Sequence, residues 1–146
     1  MKIIEELSSL KEELDKNFLK NNKLSFVFKM SGKSEFHFGF YNKETEKVTD
    51  FGIKEGEIIS KDVDNSKSKG ILEIDEKAIK NYDELKKKVS KKTGSMKLMK
   101  KIYYLFNSEK PIWKVTFIDS SFNTKHINFD AYSLDAESES NDSLTR

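Results

Sequence analysis

No cysteine occurs in the sequence, which excludes disulfides, thiolate chemistry and cysteine-based metal sites. Arginine is nearly absent too. The only one is Arg146, which argues against bidentate arginine clamps on phosphate or guanine. One proline and six glycines are too few for a linker-rich or disordered chain. No apolar run approaches the length that spans a bilayer. The stretch MKIIEELSSLKEEL carries Glu5 and Glu6 where a signal peptide needs an unbroken apolar run. The expectation is therefore a cytoplasmic chain.

What is present is aromatic and charged. Hydrophobic residues make up 36% and aromatics 12%, with eleven phenylalanines. Charged residues are also 36%, and 27 basic groups against 25 acidic ones leave a net charge of +2. A chain of 146 residues has the size of one domain and buries roughly two-thirds of the surface its unfolded form exposes.

Ile3, Leu7, Leu10, Leu14 and Phe18 recur at steps of three and four, which predicts one amphipathic helix. NNKLSFVFKM, SGKS and EFHFGFYN then read as a β-hairpin, with Gly32 supplying the positive φ of the turn. Simple alternation puts Leu24, Phe26, Phe28 and Met30 on one face of its first strand, and Phe36, Phe38 and Phe40 on one face of the second. EKVTDFGI and EGEIISKDV predict two further strands. DNSKSKG is a polar loop, and ILEID a short extended entry. A second helix opens at Asn81, an N-cap with Glu84 at capping-box spacing. MKLMKK extends it by a turn or two, and KIYYLFN, IWKVTFID and KHINFDAY complete an antiparallel set. The polar segment 136–146 is expected to be a disordered acidic tail.

The two halves share an order of helix followed by strands. FHFGFYNKETEKVTDF echoes WKVTFIDSSFNTKHINF, which reads as a candidate duplicated α-β-β-β unit. The pseudo-repeats span about 1–63 and 71–135 of a single globular domain, 1–135.

Over about 75–134 the chain resembles the PepSY-like, cystatin-like group of small α+β domains. Trp113, Val115 and Phe117 match its Trp/Tyr–x–Val–x–Phe strand. Ile127, Phe129, Asp130 and Ala131 match its closing strand. The group's Thr–Gly turn is replaced here by Tyr132, Ser133 and Leu134. The resemblance implies a helix on a curved sheet and a non-enzymatic role, such as binding a peptidase or acting as a regulatory module. It carries over no catalytic residues.

Three constellations could bear chemistry. Phe26, Phe28, Phe36, Phe38, Phe40 and Trp113 could line a ligand cavity between helix and sheet, although such stripes are more often plain core. Ten lysines between Lys77 and Lys101 face only Asp83 and Glu84, a local excess of eight. Lys86, Lys87, Lys88, Lys91 and Lys92 head this basic surface, and the acidic tail is a candidate to fold over it. Asp62, Asp64, Ser66 and Glu73 fall at positions 1, 3, 5 and 12 of a calcium loop, but Lys67 stands where that loop needs glycine. His37 and His126 alternate with core positions and read as surface histidines.

The sequence thus predicts an α+β fold, with helices on one face of an antiparallel meander sheet in two α-β-β-β repeats. It predicts a non-catalytic binding or regulatory domain with a protein partner and no cofactor. Two alternatives stand: a lysine-rich module for nucleic acid or an anionic surface, and a small-molecule binder using the phenylalanine-lined cup.

Overall fold

Asp15 breaks the N-terminal stripe in two. In a computed structural model describing residues 2–54, 57–64, 72–93 and 98–143, helix α1 (Lys2–Glu13) ends there and α2 (Lys16–Asn21) begins. The Asp15 carboxylate accepts from the Asn17 N–H at 2.7 Å, satisfying one of the orphan donors of a new helix start. Four strands follow, β1 (Asn22–Met30), β2 (Phe36–Asn42), β3 (Lys47–Lys54) and β4 (Glu57–Asp64). Helices α3 (Glu76–Lys80) and α4 (Tyr82–Thr93) lead to β5 (Leu98–Asn107), β6 (Pro111–Asp119), β7 (Asn123–Asp130) and β8 (Ala136–Ser143). This is an α+β architecture. All eight strands form one antiparallel sheet in the order β4-β3-β2-β1-β5-β6-β7-β8. Each half contributes two helices and then four strands, and the halves join where β1 pairs with β5.

The turns are set by local polar chemistry. Gly32 has a φ of 81° in the β1–β2 turn, the left-handed value for which glycine has no penalty. Asn42 Oδ1 accepts from the Glu44 and Thr45 N–H groups at 2.9 and 3.1 Å. Asp119 Oδ1 accepts from Ser121 and Asn123, both at 2.9 Å. Side chains of this kind close a turn on their own backbone.

One core cluster joins Ile3, Leu7 and Leu10 of α1, Ile79 of α3, and Leu85 and Val89 of α4 to strand residues Leu24, Val27, Phe36, Phe38, Phe40, Trp113, Val115 and Phe129. Full burial of side chains of this size contributes roughly 1.5–3 kcal/mol each. The indole Nε1–H of Trp113 donates to the Ala78 carbonyl at 2.9 Å, so the largest core residue also holds α3 in place.

Several expectations are corrected. MKLMKK does not lengthen the helix: from Leu98 onward it is β5, drawn into the sheet by β1 and β6. ILEID holds no strand at 72–75, although the Ile74 N–H donates to the Leu24 carbonyl at 2.8 Å. The expected disordered tail is strand β8 over Ala136–Ser143, laid antiparallel on β7; 144–146 lie outside the described residues. Asn81 does not cap α4 with its side chain. Its Nδ2 donates instead to the carbonyls of Ala131 and Tyr132, at 2.8 and 3.1 Å. A side-chain cap stands one helix earlier, where Asp75 accepts from the Ala78 N–H at 3.0 Å at the start of α3.

Candidate functional site

The register of β1 slips at Ser25. Leu24 pairs with Phe40, but Phe26 pairs with Gly39, leaving Ser25 as the extra residue of a β-bulge. Its hydroxyl donates to the Gly39 carbonyl at 3.1 Å. The bulge reverses the phase of every later side chain. Leu24 and Val27 are buried in the core, while Phe26, Phe28 and Met30 are half-buried and outside that cluster. The expected single stripe of Leu24, Phe26, Phe28 and Met30 is therefore divided between two faces.

On the second face β1 meets β5. Phe26 pairs with Phe106 and Phe28 with Tyr104. The rings of Phe26 and Tyr104 meet edge-on at 5.9 Å, and Tyr104 and Phe106 stack at 5.1 Å. Phe28 meets His37 at 5.7 Å across the β1–β2 pair. Ile102 of β5 and Ile112 and Ile118 of β6 share this face by alternation and are half-buried. Tyr104 is 37% exposed, whereas its neighbour Tyr103 is 3% exposed in the core. Burial against the other rings raises the Tyr104 pKa above the usual phenol value. Gly39 makes this possible, because the Phe26 ring lies flat over it in the space a Cβ would take.

Polar groups stand to either side of the rings on this face. His37 Nδ1 lies 3.0 Å from Asp50 Oδ2, and Nε2 lies 3.5 Å from Glu35. His126, on β7, has its Nδ1 2.9 Å from the Thr116 hydroxyl. Both histidines stand on the second face, as alternation predicts. Among the described residues no group of three or more His, Asp or Glu could hold a metal ion.

The expected ligand cup is divided in the same way. Phe36, Phe38, Phe40 and Trp113 are buried core; Phe26 and Phe28 lie on the other side of the sheet. The core rings pack on one another, with Tyr82 5.5 Å from Trp113 and 6.2 Å from Phe36. Burial pushes the Tyr103 phenol up to about 12 and raises Tyr82 further.

Most of the five lysines of α4 have partners. Lys86 lies 3.6 Å from Asp83, and Lys87 lies 3.4 Å from Glu84. Lys88 donates to the Leu134 carbonyl, Lys92 reaches Glu139 of β8 at 3.4 Å, and Lys91 is exposed. Glu139 also pairs with Lys125 at 3.4 Å, and the two lysines hold its carboxyl below the usual range. The acidic segment thus reaches one α4 lysine, Lys92, as an ordered strand.

Two of the calcium candidates fall in a strand. Asp62 and Asp64 belong to β4, paired with Thr49 and Lys47, so a strand occupies the first positions of the expected loop. Ser66 lies outside the described residues. The Glu73 carbonyl accepts from Asn107 Nδ2 at 3.2 Å.

FDAYSL, which begins in the last two residues of β7, is a clasp. Asp130 Oδ1 accepts from the N–H groups of Tyr132 and Ser133 at 2.8 and 3.0 Å. The Tyr132 hydroxyl donates to Asp75 Oδ2 at 2.8 Å, and Leu134 turns with a φ of 62°. With Asn81 these contacts tie the end of β7 to the α3–α4 junction. Among the described residues no helix is long and apolar enough to cross a membrane. No protein-family model, curated protein or solved structure matches the chain.

Proposed function

We propose that the chain is a non-catalytic protein-binding domain that engages its partner through the second face of the sheet, centred on Phe26, Phe28, Tyr104 and Phe106. In this reading the helices cover one face only. The aromatic cluster outside the core, with Tyr104 37% exposed, carries it. Rigid aromatic side chains are the residues interfaces favour, because they give large contact area for little lost side-chain freedom. The paired lysines of α4 favour this face over a basic docking surface.

Two structural parts of the proposal go with it. The halves are duplicated α-α-β-β-β-β units, supported by their shared element order and by the matching Asn42 and Asp119 turns between the second and third strands of each. The PepSY-like likeness is supported by the burial of Trp113, Val115, Phe117, Ile127 and Phe129.

The test is affinity capture from cells of the source organism, comparing the native chain with Tyr104→Ser and Phe106→Ser and with a control, Tyr132→Ser. A protein bound by the native chain and the control, and weakened about 30-fold by loss of a central ring, supports the proposal. Equal capture by folded Tyr104→Ser and Phe106→Ser refutes it.

A further inference from the structure

The two edges of the sheet differ in chemistry. β8 carries Glu137, Glu139 and Asp142 and no large apolar residue, the kind of edge that resists pairing with another copy. β4 is eight residues long without proline or glycine. Glu57, Ile58, Ile59, Ser60 and Lys61 are all exposed, with Ile58 at 37% and Ile59 at 57%. Its inner side is paired to β3 and its outer side to nothing among the described residues.

An antiparallel pair of identical strands must have a two-fold axis, so a residue on that axis faces its own copy. With Ile59 on the axis, Glu57 faces Lys61 of the second copy, Lys61 faces Glu57, and Ile58 faces Ser60. The charges satisfy each other on both sides of an apolar centre. Moving the axis to Ile58 pairs Glu57 with Ile59, and moving it to Ser60 pairs Ile59 with Lys61. Only the Ile59 register matches charge with charge. Neither Glu57 nor Lys61 has an ion-pair partner among the described residues.

We propose that the chain forms a two-fold dimer by antiparallel pairing of β4 with β4 of a second copy, centred on Ile59. The pairing joins two eight-stranded sheets into one, and the acidic β8 edges stop growth at two chains. Glu6, Glu12 and Glu13 of α1 line a groove beside Ile58. Their repulsion across the axis keeps the association weak, so it appears as a concentration-dependent mass. This inference is independent of the aromatic face.

The experiment is light scattering on the full chain after size exclusion, over a rising concentration series. The native mass should climb from 17.0 kDa toward twice that value. Lys61→Glu and Glu57→Lys, which oppose like charges, should each stay at one chain. The double variant, which exchanges the two charges, should recover the dimer. Ile59→Lys, at a position exposed enough not to disturb folding, should be monomeric. Circular dichroism melting checks that each variant is folded. A native chain that stays at 17.0 kDa throughout overturns the proposal. So does a dimer that survives Ile59→Lys, or folded single variants that dimerise like the native chain. A double variant that remains monomeric also overturns it.

Discussion

Gly39→Ala places a methyl group inside the space of the Phe26 ring. Gly39 is a strand residue without a left-handed φ, so its backbone is open to alanine. On backbone grounds alone, alanine in a strand is better than glycine by roughly 0.5–1 kcal/mol. The overlap reverses that sign. Phe26 must swing away from β2, breaking its contact with Tyr104, and overpacking of this kind costs about 1–3 kcal/mol. For a chain of this size the melting temperature should fall by about 3–10 °C. Thermal unfolding followed by circular dichroism measures it. The control is the same change in a Phe26→Ala background. With the ring gone the methyl has room, and Gly39→Ala should become neutral or stabilising, a non-additivity expected only of residues in contact. A single variant as stable as the native chain, or equal effects in both backgrounds, would refute the Ser25 bulge and the orientation of Phe26 it produces.

Asn81→Ala removes both hydrogen bonds to the 131–132 carbonyls and should cost about 1–2 kcal/mol in urea unfolding; an unchanged midpoint contradicts the clasp. Ending the chain after Asp135 removes β8 and its seven register pairs, which at the low end of cross-strand energies loses about 1.4 kcal/mol; a disordered tail would leave the melting temperature where it was. Burial raises the Tyr103 phenol from 10.0 to about 12. The neutral form is favoured in the fold, so this stability is complete below pH 10 and drains away as the pH climbs toward 12. The loss is about 3 kcal/mol, and Tyr103→Phe should flatten that part of the alkaline unfolding curve.

Much of the sheet was legible because alternation is a strong signal where one face is buried. IWKVTFID and KHINFDAY place Trp113, Val115, Phe117, Ile127 and Phe129 as the structure does. Gly32 and Asp119 mark turns by their own chemistry. The failures have separate causes. AESESNDS holds no apolar residue beyond Ala136, and ladder bonds with ion pairs from Glu137 and Glu139 make it a strand; its Glu–Ser alternation was the one available hint. Asn81 suits a helix start locally, but a partner fifty residues away takes its side chain. The aromatic site was hidden by a single residue. LSFVF fits two phases, and only the opposing Gly39, too small to refuse the Phe26 ring, shows that the phase changes at Ser25.

Tyr103 and Tyr104 are neighbours in β5 with opposite surroundings, one in the core and one among the rings of the second face. Brief nitration of the native chain, followed by fragment mass spectrometry of the peptide that holds both, reads that difference directly. Modification is expected at Tyr104 and at exposed Tyr132, with Tyr103 and Tyr82 protected until the chain unfolds. Equal modification of Tyr103 and Tyr104, or protection of Tyr104 alone, would contradict the two-faced sheet on which the proposed binding surface depends.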